Sequence, residues 1–457
     1  MASPSSQTSF SAKFVVKCCV SELVVPAKPT PNEVKNLSDI DDQKGLRGYF
    51  PMIWFYKKND KKPSMELEGK EKDPVKVIKE ALGRALVYYY PLAGRLKEGL
   101  DGKLLVDCNG EGVLFIEADA DVSFEQLGHP IQPPFPYVDE ILSNFPAYDG
   151  ILGCPLLLIQ VIRMSCGGLI LAINFTHVML DGFGLSQFLN TCGEIAKGIE
   201  EPSIQPVWQR ELLNARNPPR ITQIHHEYLQ EATDIDHPNF HQTEAINRSF
   251  FFGPDQIMAI RNHLPPHLVN TCTRFELLTA CIWKCRTLAL NMDPEEVVQV
   301  SCVFNGRHKD IINDLSLPPG YYGNVFSYSA AVSKAGVLCE KPLGYAMELV
   351  KLAKSKMDAE YIRSAADLMV IKRRPREKLK GNYIVSDITR LGLEDVDFGW
   401  GLPEYAGPPM TYPYLGCNVK YKSKGEDGIL VLICLPLSVM ERFQQELTKI
   451  ITIPRGT

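Results

Sequence analysis

Apolar residues fall into runs of two distinct periods along the chain. From Leu156 to Arg163 nearly every position is apolar, as in a strand covered on both faces. Gly167-Gly168 turns the chain, and Leu169 to Phe175 makes the partner strand. Val75, Ile78, Leu82, Leu86 and Val87 recur with helical spacing behind Asp73-Pro74, a capping acid followed by a first-turn proline. Pro91 ends that helix. Phe14 to Lys17 predicts a strand, as do Leu104 to Val106 and Val113 to Ile116, on either side of a turn at Asn109-Gly110. Leu185, Phe188, Leu189 and Ile195 mark a helix behind Asp181-Gly182-Phe183-Gly184.

The second half opens with a strand at Phe250 to Phe252. Helices are expected at 254–264, 275–290, 342–356 and from Val439, with strands at 298–304 and 429–435. Between the halves the chain is rich in Pro, Gln and Arg and weakly periodic. The expected organisation is a first domain over 1–200, a crossover over 201–224 and a second domain over 225–457. Both mix strands and helices without regular βα alternation.

Composition narrows the field. The chain has 457 residues, 45% hydrophobic and 23% charged, enough for more than one core. A net charge of −5 gives no field to recruit nucleic acid or anionic membrane. No apolar run reaches membrane-spanning length, and neither the opening decapeptide nor Pro454 to Thr457 reads as a targeting signal. The 13 cysteines form no zinc pattern, and their scatter predicts buried free thiols in a cytoplasmic protein. His225-His226 reads as a surface pair, since adjacent side chains diverge. No metal is expected.

Candidate chemistry centres on His177-Val178-Met179-Leu180-Asp181-Gly182. A histidine at the end of a buried strand is held rigidly, and its ring can face a cleft. Such an imidazole suits the deprotonation of a hydroxyl near neutral pH. Asp181 is read as holding the turn by pairing with an arginine elsewhere, and Gly182 and Gly184 as permitting it. HxxxD also occurs by chance, and a satisfied core histidine beside a capping aspartate is the plain alternative. Nucleophile elbows, phosphate loops, dinucleotide fingerprints and zinc helices are absent from the sequence. Asp397-Phe398-Gly399-Trp400-Gly401 reads as a tight turn. The basic run from Lys372 to Lys380 reads as a solvated loop, with contact to phosphates as the second option.

HxxxDG and DFGWG, about 220 residues apart, together resemble the plant BAHD acyltransferases. Tyr90 to Leu96 (YPLAGRL), Leu37 to Asp41 (LSDID) and Gly320 to Asn324 (GYYGN) resemble further blocks of that family. Stretches such as DPVKVIKEAL and LLNARNPPRI look closest to its benzyl alcohol O-benzoyltransferase and alcohol acyltransferase branch. The resemblance implies two similar α/β (α+β) domains of the chloramphenicol acetyltransferase type, with mixed sheets and a channel at their interface. It implies transfer of an acyl group, benzoyl, tigloyl or similar, from acyl-CoA to an alcohol of plant specialised metabolism. Acyl-CoA is then a co-substrate, no cofactor is bound, and the enzyme is a monomer. His177 is the implied base and Asp181 its catalytic companion. Arg307 matches the arginine that pairs with the aspartate. Gly182, Asp397, Gly399 and Trp400 support the site, the DFGWG residues from the coenzyme A side. Ser386 and Asp387 are candidate coenzyme A contacts. Departures are Thr176 in place of asparagine, Leu402 in place of a basic residue, a shorter loop over 403–416, and the basic run itself. An inactive binding protein of the same fold and an N-acyltransferase are the alternatives.

Overall fold

The computed structural model describes residues 14–58, 66–67, 70–71, 73–99, 101–128, 130–228 and 245–452. The opening decapeptide and Pro454 to Thr457 lie outside the described residues. Two six-stranded sheets organise the molecule. Their strands in chain order are β1 (Val16–Val24), β2 (Tyr49–Tyr56), β3 (Val113–Ala120), β4 (Leu157–Met164), β5 (Leu169–Thr176), β6 (Ala245–Phe252), β7 (Val297–Asn305), β8 (Phe326–Lys334), β9 (Asn382–Asp387), β10 (Tyr405–Gly407), β11 (Leu415–Ser423) and β12 (Glu426–Pro436). The main helices are α1 (Pro74–Tyr88), α2 (Gly182–Ala196), α3 (Arg274–Leu290), α4 (Leu343–Ser355), α5 (Ala359–Ile371) and α6 (Leu437–Ile451).

The first sheet runs β1-β3-β4-β5-β2-β10 and the second β6-β12-β11-β9-β7-β8. Both are mixed: β3 pairs parallel with β4, and β9 pairs parallel with both β7 and β11. β10 comes from late in the chain yet pairs with β2 in the first sheet.

Burial explains why these strands read as continuous apolar runs. In β2, Met52, Trp54 and Tyr56 join the core beneath α1 and α2, while Ile53 and Phe55 face the other way. That second face meets Val419, Tyr421, Leu430 and Leu432 of the second sheet. A strand covered on both sides has no polar face to keep. Helix α1 starts as its sequence directs: Asp73 accepts from the Val75 amide at 3.2 Å and holds Arg163 at 2.6 Å. Val75, Ile78, Leu82 and Leu86 are its buried stripe.

One expectation is borne out with an addition, and two need correcting. The segments around Asn109-Gly110 belong to different sheets. Leu104–Asp107 joins a small three-stranded sheet, and β3 joins the large one. Gly112 makes the crossing at φ 94°, where an added Cβ would lie 2.4 Å from the Val24 carbonyl. His225 is buried, with Nδ1 2.9 Å from Glu227 and Nε2 3.0 Å from Ser364, while His226 alone is exposed. Of the cysteines, all free, eight are buried and Cys18, Cys19 and Cys166 are exposed.

Candidate active site

β5 stops at Thr176 and α2 begins at Gly182, so His177 and Asp181 lie on one strand-to-helix turn. Asp181 caps the helix by accepting from the Gly184 amide at 2.9 Å. Neither Gly182 nor Gly184 is needed for a positive φ; both are needed for space. A Cβ on Gly184 would come within 2.1 Å of the Tyr322 carbonyl oxygen, and one on Gly182 within 2.4 Å of Leu391. Backbone cannot give way as a flexible side-chain end can. Gly184→Ala is therefore expected to cost about 1–3 kcal/mol by overpacking, read as a lower melting temperature.

Thr176 is buried and donates to the Leu156 carbonyl at 3.0 Å. Its hydroxyl is thus tied to the neighbouring strand. The His177 ring stands among Phe50, Phe175 and Phe326, with centroids 4.9, 5.4 and 5.8 Å away. Its Nδ1 lies 3.0 Å from Asn324 Oδ1. The Asn324 side-chain amide donates to Asp41 and to the His177 carbonyl, both at 2.8 Å. A carboxylate only accepts, so the amide nitrogen must face Asp41 and the amide oxygen must face the ring. This fixes the proton on Nδ1 and leaves the lone pair on Nε2. Asp41 is itself over-determined. It takes the Ser38 hydroxyl at 2.6 Å, the Asn324 amide at 2.9 Å and the buried Arg210 at 2.8 Å.

Burial pushes the His177 pKa below its ordinary value, more strongly than the Asp181 charge and the Asn324 hydrogen bond pull it back. The balance favours the neutral imidazole. Among the described residues no hydrogen bond joins Asp181 to the ring. Its Oδ2 accepts from Arg307 Nη1 at 2.6 Å and from the Val325 amide at 3.1 Å. Arg307 also donates to the Gly323 carbonyl at 2.6 Å and packs over the Phe183 ring. Asp181 thus fastens the turn that carries His177 to the second half.

His177 opens onto a cavity of about 830 Å³ between the two sheets. Phe50 and Phe175 line it from the first half, Phe326, Tyr328 and Ile384 from the second. Asp181, Gly182, Arg307, Ser386 and Asp387 also reach its wall. Asp387 is engaged locally, accepting from the Thr389 hydroxyl at 2.6 Å.

Asp397, Gly399 and Trp400 are not on that wall among the described residues. Asp397 closes its own turn, accepting from the amides of Gly399 at 2.8 Å and Gly401 at 2.9 Å. Both glycines sit at positive φ. The loop braces the back of α2, where a Cβ on Gly193 would meet the Asp397 carbonyl oxygen at 2.6 Å. Leu402 is 62% exposed.

The basic run is only partly solvated. Arg374 is buried and pairs with Asp42 at 2.7 Å, and Glu377 is buried on the cavity wall. Charge density in the sequence hid this, because Lys372, Arg373, Arg376 and Lys380 around them are exposed. The loop over 403–416 contributes Pro408, Met410, Tyr412 and Tyr414 to the cavity.

The sequence offered three signals for the supporting residues without showing their roles. Asp41 lies in LSDID, Asn324 in GYYGN, and Arg210 in the stretch read as a crossover. They meet only in the fold. Among the described residues no helix is long and apolar enough to cross a membrane.

Comparison with known proteins gives a consistent picture. The sequence model of the Transferase family matches residues 14–450. Alcohol acyl transferase 1, allele GSa, from Malus domestica is 55% identical over 443 residues, 96% of this chain and 95% of its own. Alcohol acyltransferase 16 from Actinidia chinensis var. chinensis is 54% identical over 439 residues, 95% of this chain and 93% of its own. The fold is similar to vinorine synthase, with a TM-score of 0.70 and 21% identity over 95% of this chain and 98% of that one. It is also similar to F. graminearum TRI101 complexed with coenzyme A and deoxynivalenol, with a TM-score of 0.66 and 16% identity over 92% of this chain and 99% of that one. With its motifs at His177 and Asp397 and relatives matched over nearly their whole length, the chain belongs to the Transferase family, the BAHD acyltransferases.

Proposed function

We propose that the protein transfers the acyl group of a CoA thioester to the hydroxyl of an alcohol, with His177 Nε2 as general base. The observation that carries this reading is an imidazole whose Nδ1 is occupied by Asn324 and whose ring lines the cavity. The alcohol proton passes to Nε2 as the oxygen attacks the thioester carbonyl. The tetrahedral intermediate collapses to ester and expels the thiolate. The imidazolium then returns its proton to the sulfur, giving free CoA. The histidine ends as it began, and no acyl-enzyme is required.

Asn324 and Asp41 hold the tautomer in which Nε2 is basic, and Asp41 lies close enough to favour the imidazolium as it forms. Asp181 and Arg307 position the turn. CoA is a co-substrate here. The aromatic lining supports a benzoyl, tigloyl or similarly compact unsaturated acyl group. Thirteen free thiols suit the reducing cytoplasm.

Thiol release measured across a panel of acyl-CoAs and alcohols tests the reaction. Alcohol-dependent release is expected, and its absence with every pair would overturn the reading. The pH profile tests the base. A protonated imidazole has no lone pair, so kcat/KM falls as pH drops through the His177 pKa. Because burial lowers that pKa, the acidic limb is expected below about pH 6.5, the ordinary histidine value. A limb centred above it would refute a base held neutral by burial.

A further inference from the structure

We propose that Glu377 is the recognition group for a protonated amine on the acceptor, so that the site is built for amino alcohols. The proposal rests on the transferase reading and deepens it.

Glu377 lines the cavity and is only 8% exposed, yet its Oε1 has no hydrogen-bond partner among the described residues. The other acids on the wall are provided for. Asp181 has Arg307, and Asp387 has Thr389. Arg47 is committed to Asp42 at 2.7 Å, while Lys44 and Arg376, the neighbours of Gly45 and Glu377 in sequence, are exposed. The Gly45 amide and the amide of Glu377 itself reach the carboxylate, yet Oε1 stays open among the described residues, and a buried carboxylate so incompletely satisfied gains from a further partner. The cavity in front of Glu377 is where such a partner would sit.

A cation suits this corner better than a hydroxyl. A hydroxyl satisfies one oxygen and leaves the charge uncompensated. An ammonium compensates both, and Tyr328 and Tyr414 on the same wall add aromatic rings suited to cation–π contact. Burial, and after it the Glu377 charge, pushes the Tyr328 hydroxyl up, which places the two groups within electrostatic reach. Burial likewise raises the Glu377 pKa, and a bound ammonium would draw it back down.

One short segment links this carboxyl to the base. The Glu377 carboxyl packs on Gly45, where an added Cβ would lie 2.3 Å from Oε2. Three residues on, the Gly48 carbonyl accepts from the His177 amide. Three residues of backbone span at most roughly 11 Å. A single small molecule can therefore present a hydroxyl to His177 and an amine to Glu377.

The test uses the full chain with benzoyl-CoA and three acceptors: 1-methylpiperidin-4-ol, 4-methylcyclohexanol and cyclohexane-1,4-diol. The wild type is expected to favour the amino alcohol in kcat/KM by more than about tenfold, as a desolvated charge pair warrants. Glu377→Gln keeps the shape of the side chain and removes the charge. It should raise KM for the amino alcohol by more than about tenfold, and leave the KM for benzoyl-CoA and the turnover of 4-methylcyclohexanol nearly unchanged. A preference that survives Glu377→Gln overturns the proposal. So does an equal loss on the diol, which would make the subsite one for hydroxyl groups. If the wild type consumes only the two neutral acceptors, the amine subsite falls and the transferase reading stands. If it consumes none of the three with benzoyl-, hexanoyl- or acetyl-CoA, both fall together.

Discussion

His177→Ala is expected to lower kcat by about 100- to 10,000-fold, the range set by removing a positioned general base. The loss should fall on turnover, with the KM for acyl-CoA nearly unchanged, because the ring contributes only part of a wall that thioester and alcohol share. Folding should survive. The ring is half-buried, and its removal leaves Phe50, Phe175 and Phe326 packed on their own strands. The discriminating measurement pairs thiol release with a melting curve. A folded His177→Ala protein that retained wild-type turnover would remove the base from the mechanism.

Asp181→Ala is expected to act through structure, and strongly. It strips the partner from Arg307, whose side chain is only 8% exposed, and leaves that guanidinium buried and uncompensated. Breaking a buried pair from one side costs about 3–5 kcal/mol. The lost cap at the start of α2 adds about 1 kcal/mol. A clear fall in melting temperature should accompany the fall in turnover, and the acidic limb of the pH profile should stay near its wild-type position. Asp181→Asn keeps an acceptor for the Gly184 amide and should lie between the two. If Asp181→Ala abolished turnover at an unchanged melting temperature, a purely positioning role could not stand.

These two residues were legible in the sequence for a simple reason. They lie on one turn, and a local pattern (an apolar strand, a histidine, a capping aspartate, a helix) carries the information. The same holds for β4 and β5, whose runs are bounded by the glycine pair at the turn. Where the information was non-local, the sequence was silent. Asp41 and Asn324 are 283 positions apart and Asp41 and Arg210 are 169 apart, so no window joins them. β2 escaped notice because Pro51 interrupts it, and because burial on both faces removes the alternation that marks a strand. The sequence analysis likewise predicts no element at β8, β9, β11 or α5. Glu377 was hidden by its neighbours: five cationic side chains from Lys372 to Lys378 argue for solvent, and only the fold shows which way each one turns.

The path of the chain between β10 and β11 has a consequence for how such an enzyme changes its substrate. β10 is hydrogen-bonded into one sheet and β11 into the other, so residues 408–414 carry the chain from one sheet to the other. Seven residues reach at most roughly 25 Å, and four of them form part of the chamber wall. Adding or deleting one residue there would reshape the chamber wall, with His177, Asn324 and Asp41 left intact. Insertions and deletions in this spacer are a route to new acceptors that spares the proton-transfer apparatus.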